Sequence, residues 1–138
     1  MAYWLFKSEP NTWGWDDQVK KGAPEEWDGV RNYQARNNMR EMKVGDLGFF
    51  YHSIKEKRIV GIVRVAVEAH PDSKTDDERW ECVDIEAVKP FETPITLDDI
   101  KAHPELGDMI LVNNSRLSVQ PVSAKEWQII CKMGGVTP

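Results

Sequence analysis

Leu47-Gly-Phe-Phe-Tyr-His52 and Arg58-Ile-Val-Gly-Ile-Val-Arg-Val-Ala-Val67, joined by Ser53-Ile-Lys-Glu-Lys57, decide how this chain folds. Both runs are rich in β-branched and aromatic residues, which suit a pleated surface. The polar tip Lys55-Glu-Lys57 joins them as an antiparallel hairpin. Arg58–Val67 is too apolar for a strand with one wet face, so it is predicted to be buried on both sides around Gly61. Upstream, Tyr3-Trp-Leu-Phe-Lys7 is a buried strand that Ser8-Glu-Pro10 stops. Asn11 or Thr12 caps a helix through about Lys21, and Gly22 ends it. Residues 23–30 form a loop, and Asn32 to Met42 forms a second helix with Ala35, Met39 and Met42 on one face. Lys43-Val-Gly-Asp46 is a turn. Downstream, Trp80 to Val88 alternates, with Val83, Ile85 and Ala87 inward and Asp84 and Glu86 in water. Thr96-x-x-Asp99 opens a short helix ending near Pro104, and Ser118-Val119 is a short strand closed by Pro121. Ser123-Ala-Lys-Glu126 opens a last helix that buries Trp127 and Ile130 and stops at Gly134-Gly135. The elements define one α+β domain over residues 1–138, with a small barrel as its natural closure because a barrel leaves no open sheet edge.

Composition sets the function classes. The 138 residues are 41% hydrophobic and 30% charged, ordinary for a soluble globular protein. No apolar run reaches the ~18 residues of a membrane span, and Met1 to Pro10 lacks the pattern of a secretory signal. A cytoplasmic protein with no membrane contact is expected, with Cys82 and Cys131 reduced and buried. The net charge of −5 disfavours an extended grip on phosphates, but the acidity is localised. Residues 1–67 sum to +2, residues 68–108 to −9 and residues 109–138 to +2. Arg31, Arg36 and Arg40 lie in a stretch, residues 29–40, that contains no acid, which leaves room for a local basic face.

Several chemistries lack their motifs. His52, His70 and His103 are far apart, with no CxxC, so no metal site is expected. There is no G-x-S-x-G elbow and no phosphate-binding glycine loop. Lys7 and Glu9 share one side of a strand end, where they form an acid–base pair or a structural ion pair, or where the carboxylate caps the Asn11–Thr12 turn. Trp27 differs from the other tryptophans by its place in a polar loop, between Pro24-Glu-Glu26 and Asp28-Gly29. An indole there, beside Arg31, Asn32 and Tyr33, either stacks on a flat base or fastens the loop to the core. Tyr51-His-Ser53 and Asn113-Asn-Ser-Arg116 add polar side chains at chain turns.

The blocks Tyr3-Trp-Leu-Phe-Lys-Ser-Glu-Pro10, Trp27-Asp-Gly-Val-Arg-Asn-Tyr-Gln-Ala-Arg-Asn-Asn-Met-Arg40, Gly45-Asp46, Phe49-Phe-Tyr-His-Ser53 and Arg116-Leu-Ser-Val-Gln-Pro121 resemble the EVE domain. They follow family order from residue 3 to about 131. The resemblance implies a PUA-like pseudobarrel of mixed and antiparallel strands flanked by short helices, close to the YTH and ASCH domains. It also implies a non-catalytic module that recognises a modified base, such as a modified cytosine, in DNA, in RNA or as a free nucleoside. The YTH Gly-Val-Trp is similar to Gly29-Val30-Arg31, so Arg31 takes the place of a cage tryptophan. On this reading Trp27 and Tyr33 stack on the base, and Ser8, Asn32, Tyr51, His52 and Ser53 read its edge. Ser118 closes a wall, and Lys7, Arg31, Arg36 and Arg116 contact phosphate. Trp27→Ala is then expected to abolish binding and to leave the melting temperature nearly unchanged. A monomer with no cofactor is expected. The alternative, by likeness to ASCH relatives, is a small hydrolase of modified nucleosides that uses Lys7 and Glu9.

Overall fold

The computed structural model describes all 138 residues, Met1–Pro138. In chain order the elements are β1 (Tyr3–Ser8), α1 (Trp15–Lys21), β2 (Glu25–Glu26), α2 (Tyr33–Glu41), β3 (Leu47–His52), β4 (Arg58–Pro71), β5 (Glu81–Thr96), α3 (Leu97–Ala102), α4 (Ile110–Asn113), β6 (Val119–Val122) and α5 (Ala124–Met133). The six strands form one sheet in the order β2-β5-β4-β3-β1-β6. The predicted β3–β4 hairpin forms, and β1 inserts between β3 and β6, parallel to the first and antiparallel to the second. The result is a mixed, open pseudobarrel with short helices on its flanks.

Both faces of the sheet are apolar, and each buries a core of its own. Trp4 and Phe6 of β1, Phe50 of β3, Val63 and Val65 of β4, and Val83 and Ile85 of β5 face one core, which α1 and α2 close with Trp15, Ala35 and Met39. Leu5, Phe49, Ile59, Ile62, Phe91 and Ile95 face the other, closed by Ile100 of α3, Leu111 of α4 and Trp127 of α5. The two-sided burial predicted for β4 is therefore present. Register shifts along β4 and β5 allow Val60 and Val63 to share a core that strict alternation would split between faces. At Gly61 the absent side chain matters: a Cβ there would lie 2.5 Å from the Trp15 indole, which packs directly on the strand backbone.

Several boundaries differ from expectation. Helix α1 begins at Trp15, not near Asn11 or Thr12, because residues 9–13 form a separate turn in which Thr12 and Trp13 N–H donate to the Glu9 carbonyl at 2.9 and 3.0 Å. Asp17 then caps α1 by accepting from Gly14 N–H at 2.8 Å. The expected loop 23–30 contains β2, which pairs with Asp84 and Ile85 of β5. Strand β5 runs well past Val88, through Pro90 and Pro94. Because β2 covers only Asp84–Ile85, that end of β5 has one neighbour, and proline is tolerated where no ladder donor is needed. The same reason admits Pro121 into the edge strand β6. Both capping boxes form: Thr96 accepts from Asp99 N–H at 3.0 Å, and Ser123 accepts from Glu126 N–H at 3.2 Å.

Candidate functional site

A cleft of about 590 Å³ opens where β1 ends, a size suited to a small organic ligand. Lys7 and Ser8 of β1, Trp13 of the turn before α1, and Ser118 form one side. Glu25 and Glu26 of β2, the loop Trp27 to Arg31, and Lys74 form the other. Hydrogen bonds hold both sides. Ser8 Oγ donates to the Trp13 carbonyl, and Lys7 N–H donates to the Ser118 carbonyl at 2.8 Å. Trp13 Nε1–H donates to Gln18 Oε1 at 3.0 Å, and Gln18, itself 1% exposed, donates to the Ile85 carbonyl at 3.2 Å. The facing loop hangs on Asp72, 2% exposed, which accepts from Gly29 N–H at 2.9 Å, Arg31 at 3.0 Å and Lys74 N–H at 2.8 Å. Gly29 has φ +78°, a conformation that L side chains rarely adopt.

Trp27 both lines the cleft and belongs to the core, which corrects the expectation of an indole free of packing duties. It is 8% exposed, and its ring meets Phe6 and Phe50 edge-on at centroid distances of 5.5 and 5.7 Å. Its N–H donates to the Val83 carbonyl at 2.8 Å, so β5 fixes the backbone at the root of the loop. The loop is polar in sequence, yet this one residue turns inward because β2 pairs with β5 just before it. Trp13, half-buried, supplies a second indole to the cleft. Sequence reasoning missed it, although its proximity to Ser8 and Pro10 was a usable signal.

The cleft carries both signs of charge. Lys7, Arg31 and Lys74 face Glu9, Glu25, Glu26 and Asp28. Burial raises the Asp28 carboxyl above the usual range; Lys74 opposes this, while Asp72, Glu26 and Glu25 add to it. Burial lowers the Lys7 ammonium, whose Nζ donates to the Ser115 carbonyl at 2.8 Å. Burial alone would raise Asp72, but its donors Lys74 N–H, Arg31 and Gly29 N–H outweigh it and hold the carboxyl low. Lys7 and Glu9 both line the cleft but make no ion pair with each other.

Of the residues expected to bind a base or its phosphates, Lys7, Ser8, Trp27, Arg31 and Ser118 converge on the cleft. The others lie elsewhere. Asn32 caps α2, its side chain accepting from Ala35 N–H at 2.9 Å. Tyr51 points into the opposite core, 3% exposed, where burial pushes its hydroxyl up to about 12. His52 is buried under α1, where Nε2 accepts from Trp15 N–H at 3.0 Å and Nδ1 meets Glu56 at 3.2 Å. Ser53 N–H donates to the Ser8 carbonyl at 2.9 Å, outside the cleft lining. Arg116 is exposed and also outside it. Tyr33, 51% exposed, stacks on Trp80 with centroids 4.9 Å apart. Arg36 lies over Tyr33 at 4.8 Å, and Arg31 lies over Trp80 at 5.4 Å, forming a ledge beside the cleft. The acid-free stretch around these arginines does not stay basic in three dimensions. Asp72 pairs with Arg31 and Glu81 with Arg40, both from the acidic block, while Arg36 keeps no carboxylate partner.

Comparison with known proteins adds to this geometry. Residues 2–133 match the model of the EVE domain. The chain is 38% identical to mouse thymocyte nuclear protein 1 over 169 residues, covering 99% of this chain and 75% of that protein. The crystal structure of Atu2648 from Agrobacterium tumefaciens superposes with TM-score 0.96 at 54% identity, covering 99% of this chain and 94% of that one. Human THYN1, solved in complex with DNA containing 5-methylcytosine, superposes with TM-score 0.87 at 33% identity, covering 100% of both chains. A YTH domain from Zygosaccharomyces rouxii, at 17% identity and TM-score 0.59 over 99% of this chain and 88% of that one, shares the PUA-like fold.

Proposed function

From the premise that this chain belongs to the EVE domain family, we propose that it is a non-catalytic reader of a modified base, with cytosine as the parent base, carried on nucleic acid. The observation behind this reading is the cleft itself, lined by two indoles, by Asp28 among other carboxylates and by Lys7, Arg31 and Lys74, in a chain that aligns end to end with a protein solved on 5-methylcytosine DNA. Trp13 offers a π surface, and stacking of a base on an aromatic contributes ~1–3 kcal/mol. Trp27 floors the cleft. The Asp28 carboxyl accepts from the exocyclic amine of cytosine, the donor that distinguishes this base's edge. Val30 supplies an apolar contact for a methyl substituent. Extruding the base costs a few kcal/mol, and backbone contacts recover part of it. Arg31 and Lys74 at the rim, with Arg36 on the ledge, provide them. The Arg40–Glu81 ion pair is a surface pair worth ~0–1 kcal/mol, so a phosphate displaces Glu81 at little cost, whereas Arg31 keeps the buried Asp72 carboxylate and meets phosphate with its remaining N–H groups.

Fluorescence anisotropy tests the proposal. Labelled oligonucleotides that differ only in one 5-methylcytosine are compared at a fixed salt concentration, because salt governs the backbone contribution. The methylated strand is expected to bind more tightly, and Trp13→Ala to remove the difference while the protein stays folded. Equal affinity for both oligonucleotides, or a preference that survives Trp13→Ala, refutes it. Incubation with modified nucleosides followed by mass spectrometry covers the hydrolytic alternative: a product that disappears in Lys7→Ala would replace the reader model with an enzyme.

A further inference from the structure

At Glu26, which also lines the cleft, three strands place donors of three kinds together. One ligand atom each of Glu26 on β2, His70 on β4 and Cys82 on β5 lies within 4.8 Å of the others. We propose that Glu26, His70 and Cys82 bind a zinc ion.

The topology accounts for the convergence. His70 and Cys82 are cross-strand partners in the β4–β5 ladder, and Glu26 pairs with Asp84, two residues along β5 from Cys82. The donors come from positions 26, 70 and 82, so no local spacing reveals them. A thiolate, an imidazole and a carboxylate form a zinc-type set, whereas magnesium and calcium take oxygen ligands. Zinc bonds of ~2.0–2.3 Å put neighbouring ligands roughly 3.5 Å apart, so no pair has to close by more than about 1.3 Å. The surroundings are those of a ligand set rather than a surface accident. The His70 ring is gripped at both nitrogens, by the Pro71 carbonyl on Nδ1 at 3.0 Å and by Asp84 on Nε2 at 2.7 Å. Whichever nitrogen ligates, the other keeps the carbonyl or carboxylate partner that orients metal-bound imidazoles. One Glu26 oxygen accepts from Ser73 N–H at 2.9 Å and Ser73 Oγ at 2.6 Å, which fixes the carboxylate and leaves its second oxygen for the ion. Cys82 is fully buried yet adjoins this polar cluster, so its sulfur meets the ion from the protein side. Zinc would tie β2, β4 and β5 together where Glu26 lines the cleft, and its binding does not require that the cleft read a base.

The test uses the whole chain, stripped with a chelator and titrated with zinc by calorimetry, with magnesium as the control. One zinc per chain is expected and no magnesium. Cobalt substituted for zinc is expected to give a thiolate-to-cobalt charge-transfer band. His70→Ala and Cys82→Ala are each expected to weaken zinc binding at least tenfold, about the smallest loss that disturbing a metal's surroundings produces. Far-UV circular dichroism checks that both variants fold, and the cobalt band of the unaltered protein reads the sulfur ligand without any variant. Absence of zinc binding, a cobalt complex without the sulfur band, or undiminished binding in both folded variants would overturn the site.

Discussion

Trp27→Ala separates a residue that merely borders a cleft from one that also holds the fold. The indole is 8% exposed and packs edge-on against Phe6 and Phe50. An aromatic of this kind buries about 150–250 Å², worth about 4–6 kcal/mol at ~25 cal/mol per Å². Measured truncations of buried tryptophan and phenylalanine fall at about 3–5 kcal/mol. The entropy of unfolding is about 2.1 cal/mol/K per residue, so 138 residues give roughly 0.3 kcal/mol/K. The melting temperature should therefore fall by roughly 10–17 °C, a large share of the stability of a domain this size. Differential scanning calorimetry of both proteins at one concentration and pH measures the shift. Anisotropy, run well below the variant's midpoint, then measures oligonucleotide binding by the folded fraction, which should also be lost because the floor of the cleft is gone. A drop of less than about 3 °C would refute the packing inferred here and return Trp27 to the role of a free loop aromatic.

Further outcomes follow from other contacts. Asp72→Ala leaves Gly29 N–H and Lys74 N–H without their acceptor and frees Arg31; stability should fall by about 2–3 kcal/mol in urea titration, and oligonucleotide affinity should fall with it. Gly61→Ala drives a methyl to 2.5 Å from the Trp15 indole and should cost about 1–3 kcal/mol by the same measurement. Glu56 is held below its ordinary value of 4.5, chiefly by its hydrogen bond to His52 and then, against the opposing effect of burial, by the charge of His52 and by the hydrogen bond and charge of Arg58. A lowered folded-state value means that its stabilisation is complete above the unfolded value and vanishes as pH falls through the folded one. Thermal melts should therefore show unaltered protein and Glu56→Gln converging as pH drops from about 6 to about 3, with the unaltered protein ahead at the higher pH.

Strong local signals in the sequence foretold the matching parts of the structure. The β3–β4 hairpin follows from two β-rich runs around a charged tip, and α3 and α5 follow from capping boxes whose hydrogen bonds form as expected. Val83 and Ile85 face the core as their alternation requires. What stayed hidden depended on distant neighbours. The alternation read from the sequence ends at Val88, and only the shortness of β2 explains why β5 continues through Pro90. Trp27 reads as a loop aromatic until β2 pairs and turns it inward. Asp72 organises a loop more than forty residues before it, and His52 satisfies a helix N-terminus through Trp15 N–H. The cleft was legible in Lys7, Ser8, Trp27, Arg31 and Ser118 but not in Trp13, Asp28 or Lys74. The acidic block 68–108 looked separate from the arginines, yet strand pairing folds Asp72 and Glu81 back onto them.

The insertion of β1 between β3 and β6 has a consequence for the order of assembly. A nascent chain that has emerged only as far as Asn114 can pair β1 with β3, but it leaves the other edge of β1 bare and lacks the Ser118 side of the cleft. Such an edge is a template for pairing with other chains, and contacts so far apart in sequence form slowly. The Ser118 side of the cleft is therefore complete only once β6 has been made, and truncation before β6 would leave the cleft open while creating an aggregation-prone edge.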